Sequence, residues 1–227
     1  MNKIFRFALK IFLGILGALF IIGISTIIGL NSKFIYYYAI DKYNLSKVVN
    51  IPKEVIIKDF NTLIEYLQNI FIEKLSFINF PMSSNGEYHF YEVKMIFISI
   101  YIIVITILIF FIVIYIINKK KNNSLDLINI LNYGVNTLIG VILALTIAIS
   151  VNFSKIFEVF HKVFFNNDYW IFDAKTDPII NILPEEVFKL YAIYIIIIAG
   201  LFILIIKTFY YMKQKRVKEK IANSISV

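Results

Sequence analysis

Residues 95–117 read MIFISIYIIVITILIFFIVIYII, a run of 23 residues without a single charge. A helix rises 1.5 Å per residue, so about 20 residues cross the roughly 30 Å hydrocarbon core of a bilayer. The run therefore reads as a membrane span. Working outward, three more segments share its character: 7–30, broken only by Lys10, then 127–151, then 191–206, which suffices if a few flanking residues join it. A soluble chain of 227 residues would hold one or two domains, but a 59% hydrophobic composition with four long apolar blocks points elsewhere. The expected fold class is a mainly α membrane protein: four transmembrane helices and a small extracellular α-rich cap formed by the loops between spans one and two and between spans three and four.

The start, MNKIFRFALK, carries the basic residues of a secretory signal. Signal h-regions stop at about 7 to 15 residues, however, and no A-x-A-like cleavage site follows. Residues 1–30 are expected to be a short cytoplasmic end and a retained first span. Cysteine is absent, which excludes disulfides, a thiol nucleophile and cysteine-based metal sites.

Charge orients the chain. The N-terminal end (Lys3, Arg6, Lys10), the 118–126 loop (Lys119, Lys120, Lys121) and the 207–227 tail (Lys207, Lys213, Lys215, Arg216, Lys218, Lys220) together hold 12 basic and 2 acidic residues. The two longer loops, 31–94 and 152–190, hold 11 basic and 13 acidic residues. Basic loops stay in the cytoplasm. Both termini are therefore expected inside and both long loops outside, in a plasma membrane. The net charge of +8 is absorbed by topology, leaving no reason to invoke nucleic acid.

The outer loops carry helical patterns. Phe60, Ile64, Leu67, Phe71, Leu75 and Ile78 recur at steps of three and four, predicting an amphipathic helix over 60–78. FIYYY at 34–38 has the composition of an interfacial aromatic belt. Ser84 and Glu87 have capping-box spacing, starting a helix that carries His89 into the second span. Phe153, Phe157, Phe160 and Phe164 predict a juxtamembrane amphipathic helix bearing His161, and Pro184 with Glu185 and Glu186 opens the fourth. In the third span, Asn129, Asn132, Asn136 and Gly140, continued by Ala144 and Ala148, predict a helix-packing seam with polar glue.

The chain has two histidines, and both fall in the outer loops. Imidazoles exchange protons near neutral pH, which suits acid and base work. Glu92, three residues after His89, and Glu158, three before His161, share helical faces with them and are candidates to orient them. A zinc site ordinarily takes three protein ligands, and no H-E-x-x-H is present, so no metal and no cofactor are expected. Neither G-x-S-x-G nor S-x-x-K occurs. Trp170 fits a belt anchor, and Asp173 and Asp177 fit solvated turn residues as readily as functional ones.

Two stretches carry a resemblance. GEYHFYEVK at 86–94 is similar to the E-x-x-H-M-x-D-V-K segment of the bacterial lipoprotein intramolecular transacylases. NNDYWIFDAKTDPIINILPEEVF at 166–188 resembles the segment following that family's second histidine, W-x-F-x-P-x-x-D-x-L-I-x-x-L-P-x-x-F-F. Here Phe90 stands for Met, Glu92 for Asp, Ala174 for Pro and Val187 for the first Phe, with Glu87 one residue nearer its histidine. The resemblance implies an enzyme that moves the sn-2 acyl chain of a diacylglyceryl-modified lipoprotein cysteine to that cysteine's own α-amine, giving a lyso-form lipoprotein. It implies His89 and His161 as the catalytic pair, with Glu92, Lys94, Trp170, Asp173 and Asp177 binding substrate or supporting them. His89 is the preferred base in this reading. The expected partners are the diacylglyceryl lipoprotein and the bilayer. The nucleophile belongs to the substrate, which suits a chain with no serine or cysteine motif. The alternative from another class is a non-enzymatic transporter partner or assembly factor whose outer loops bind.

Overall fold

In a computed structural model, which describes residues 3–120 and 126–225, every regular element is helical. The first helix, α1 (Lys3–Asn31), leads into α2 (Phe34–Lys42), α3 (Leu45–Val49) and α4 (Lys53–Gln68). Next come α5 (Ser84–Lys120), α6 (Leu127–Val151) and α7 (Phe153–Phe164), then a 3-10 turn (Pro178–Asn181) and α8 (Glu185–Ile225). Four of these are long and apolar enough to cross a membrane: Phe7–Asn31, Ser84–Lys120, Leu127–Val151 and Glu185–Ser224. Lys121, assigned to the loop between the second and third spans, lies outside the described residues. The fourth span, short as an apolar run, belongs to a helix of 41 residues.

The chain divides into two compact units. One comprises residues 1–25, 103–145 and 196–227. Its core is Ile21, Val135, Leu138 and Ala199. Here α1 and α6 touch backbone to backbone: a Cβ on Gly134 would stand 2.0 Å from the Gly14 carbonyl oxygen. The expected seam at Gly140, Ala144 and Ala148 is corrected by this, because Gly140 has nothing within 4 Å of its Cβ position. Gly140 and Ala144 are exposed. The polar glue is present at Asn132 and Asn136, both of which accept hydrogen bonds from the Lys207 ammonium, at 2.9 Å for Asn132.

The other unit comprises residues 26–102 and 146–195. Its core joins Tyr36, Ile40, Ile56, Phe60, Leu63, Leu67, Leu75, Phe90 and Ile182. FIYYY is more than a belt: Tyr36 is fully buried, stacks on Phe60 at 3.7 Å and donates its hydroxyl proton to the Ile182 carbonyl. Phe34 and Tyr38 remain exposed.

The helix expected over 60–78 is corrected to 53–68. Pro52 in an extended conformation sets its start, and Asn69 leaves helical geometry at its end, where its side chain accepts from the Phe71 N–H. Leu75 still reaches the core, but on an irregular segment. Two charged side chains hold that segment. Asp59, fully buried, accepts from Ile78 N–H at 2.7 Å and from both the backbone and side-chain N–H groups of Asn79. Lys94 donates to the Ile72 carbonyl and lies 4.4 Å from the centre of the Tyr66 ring. Such bonds satisfy backbone groups that no helix or sheet would otherwise pair.

Candidate active site

His89 stands on the second turn of α5, well before the apolar run that begins at residue 95. The capping is shifted by one residue from expectation: Ser83, not Ser84, accepts the Gly86 N–H through its hydroxyl oxygen, at 3.0 Å. Glu87 instead pairs with Lys74 at 3.3 Å. Asp177 buttresses the same helix start. Its Oδ1 accepts the Ser83 N–H at 2.7 Å, its Oδ2 accepts the Thr176 hydroxyl, and it is almost wholly buried. A Cβ at Gly86 would meet that carboxylate at 2.3 Å, so glycine leaves the room it occupies.

His161 lies on the last turn of α7, whose start is capped by the Asn152 side chain accepting from Lys155 N–H. Pro184 precedes α8, the helix of the fourth span, which begins at Glu185, instead of lying in its first turn.

The two imidazoles come together, with ring centroids 5.9 Å apart. Both are only 7% exposed. Aromatic rings surround them: Phe165 is 4.7 Å and Phe172 5.5 Å from His89, while Phe157 is 4.3 Å and Trp170 4.6 Å from His161. Trp170 stacks on His161 at an interplanar angle of 27°. Burial, reinforced by the nearby His161, pushes His89 down to about 4. Burial also lowers His161, opposed by its hydrogen bond to the Phe157 backbone.

That hydrogen bond fixes a tautomer. The His161 Nδ1 lies 2.7 Å from the Phe157 carbonyl oxygen. A carbonyl only accepts, so Nδ1 carries the proton and the lone pair of the neutral ring sits on Nε2. The orienting group is thus a backbone carbonyl, where the sequence pointed to Glu158. Glu158 instead pairs with Lys155 and Lys162, whose hydrogen bonds hold its carboxyl well below the usual range. Glu92 likewise pairs elsewhere: both its oxygens accept from Asn167 Nδ2, at 3.0 and 3.1 Å. Asp173 makes a local turn, accepting from Lys175 N–H. Lys94 and Asp177 position backbone and helix.

Phe165, Phe172 and the Phe157 carbonyl were missed as parts of the site. Phe165 follows the end of α7 and Phe172 lies in an irregular segment, so helical spacing gives neither a direction. Among the described residues no three His, Asp or Glu side chains cluster closely enough to hold a metal ion.

The family model described as lipoprotein intramolecular transacylase Lit matches residues 11–188. The in meso structure of the membrane-integral transacylase Lit from Bacillus cereus superposes with a TM-score of 0.85, at 29% identity, covering 95% of this chain and 100% of that one. A structure of the same Bacillus cereus protein with a histidine-to-arginine mutation gives 0.76, again at 29% identity, covering 96% of this chain and 98% of that one. No curated protein matches by sequence. With the family pattern running through all but the two ends of the sequence, this multi-pass membrane protein belongs to the lipoprotein intramolecular transacylase family.

Proposed function

We propose that this protein converts a diacylglyceryl lipoprotein to its lyso form by moving the sn-2 acyl chain to the α-amine of the modified cysteine, using His161 and His89. The observation that carries the proposal is the pair of buried, adjacent imidazoles, one with its tautomer fixed. An α-amine has a pKa of about 7.7 to 8.0 and needs a proton removed before and during attack. With Nδ1 bound to a carbonyl, His161 offers Nε2 as the base. This reverses the preference for His89, whose depressed basicity suits it better to remain neutral and donate its N–H to the reacting carbonyl oxygen.

The step balances without any further reagent. The amine nitrogen attacks the ester carbon, a C–N bond forms, and the π electrons move to oxygen. His161 Nε2 takes the ammonium proton. On collapse the C–O bond to glycerol breaks, and the proton on His161 passes to the departing alkoxide. One amide and one hydroxyl replace one amine and one ester.

The site faces the outer side of the membrane in this reading, with both termini cytoplasmic, because the basic residues concentrate at the other face. Loops 31–94 and 152–190 then form an outer cap. The α7 helix supports this placement: Val159, Phe160, Val163 and Phe164 are all exposed large apolar side chains, suited to the headgroup boundary where the ester lies. The non-enzymatic alternative has no matching support, since the family is one of transferases. The test is mass spectrometry of a lipoprotein's N-terminal peptide in cells that otherwise make only diacyl forms. Conversion to the N-acyl lyso form on expression of this protein supports the proposal, and an unchanged diacyl peptide removes it.

A further inference from the structure

Among the described residues, three buried side-chain nitrogen or oxygen atoms have no hydrogen-bond partner: Ser46 Oγ, His89 Nδ1 and Trp170 Nε1. Two of the three belong to the aromatic cage. A buried indole N–H nearly always finds an acceptor, and leaving one unpaired costs about 1 to 3 kcal/mol. Packing alone does not account for a tryptophan here, because phenylalanine would stack on His161 without stranding a donor. The unpaired donor belongs to the ring stacked on His161 at 4.6 Å, and His161 is in turn 5.9 Å from His89.

We infer that the Trp170 indole N–H is a catalytic donor that binds the carbonyl oxygen of the acyl ester and holds the oxyanion of the tetrahedral intermediate. The inference rests on the transacylase reading above and adds a second donor beside the His89 N–H. Attack places a full negative charge on the former carbonyl oxygen, in a cage of rings with little water to solvate it. A fixed N–H aimed at that charge is worth most in such surroundings. The indole keeps its proton throughout, so it cannot short-circuit the transfer between amine and alkoxide. Its stacking on His161 adds a second duty, holding the base in the plane that its Nδ1 bond to Phe157 defines.

The test uses the full chain reconstituted in lipid, with a synthetic diacylglyceryl-cysteine peptide as substrate. Trp170 is replaced by benzothienylalanine, which exchanges the ring N–H for sulfur and keeps the shape, and separately by phenylalanine. The expected result is a fall in kcat of about 100-fold for both, with KM within about threefold, as for loss of one oxyanion donor. A benzothienylalanine enzyme with kcat within threefold of the unmodified one overturns the inference and leaves the transacylase reading standing. An unmodified enzyme that leaves the peptide unconverted overturns both. A second measurement does not depend on a variant folding. Trp170 is the single tryptophan, so its indole N–H gives one proton resonance. A phosphonate analogue of the tetrahedral intermediate is expected to move that resonance downfield, and an unmoved resonance at saturating analogue overturns the inference.

Discussion

At the scale of the residue, the account turns on burial acting on two imidazoles. Both are pushed below their ordinary value of about 6.5, and His89 to about 4. A base must be unprotonated to act, so His161 is expected to stay neutral at pH 6.5, where an unperturbed histidine is half protonated; its imidazole resonance followed by NMR against pH checks this, and a midpoint at 6.5 or above contradicts it. The same shift is linked to stability. An unfolded chain takes up protons on its histidines below about pH 6.5, while folded His89 resists until about 4, so stability is full above 6.5 and declines as pH falls through that window. Thermal midpoints in detergent at pH 7.5 and 4.5 measure the decline, which is expected to shrink in His89→Phe. The histidines themselves were legible in the sequence, as the only two in the chain. Their orienting groups were not. Glu92 and Glu158 have the right helical spacing, but spacing gives a shared face and not a bond: lysines and an asparagine reach those carboxylates first.

At the scale of the element, helix starts and loop anchors set the positions of the pair. Ser83 and Asp177 hold the start of α5, and Asn152 holds the start of α7. Ser83→Ala and Asn152→Ala are each expected to cost about 1 kcal/mol, the usual value of an N-cap, whereas Glu87→Gln, which loses only an exposed ion pair, is expected to change stability by less than about 0.5 kcal/mol. Asp177→Ala leaves the half-buried Ser83 N–H without its acceptor and is expected to cost roughly 1 to 3 kcal/mol and to lower kcat through misplacement of His89. Denaturant melts and turnover on the same preparations check all four. The long helices were legible because uncharged runs of 16 to 25 residues have few other uses. The segment after α4 was not. Phe71, Leu75 and Ile78 continue a helical spacing by coincidence, while the buried Asp59 carboxylate, a tertiary interaction, draws the backbone into an irregular path. The glycine contact was misjudged for a similar reason. Small residues mark several faces of α6, and only the neighbouring backbone of α1 selects Gly134.

At the scale of the whole molecule, family membership and four long apolar helices make this a multi-pass membrane protein, and the charge asymmetry supports the proposed orientation, basic segments inside and the histidines outside. Because the chain has no cysteine, single cysteines placed near Asn85 or Asp173 are expected to react with an impermeant maleimide added to intact cells, and ones near Lys120 or Lys218 are not. The reverse pattern would put the histidines in the wrong compartment. Activity of the purified protein is expected to survive a chelator, since the proposed chemistry is carried by imidazoles and the substrate's own amine. The most direct test of the central claim is the fraction of a lipoprotein's N-terminal peptide converted from diacyl to N-acyl lyso form in cells expressing His89→Ala, His161→Ala or the double variant. General acid or base groups are each worth typically 10² to 10⁴-fold, and residues acting as a unit are not additive. Each single variant is therefore expected to lose conversion almost completely at normal expression, and the double variant to be scarcely worse. Near-normal conversion by either single variant would contradict the two-histidine mechanism.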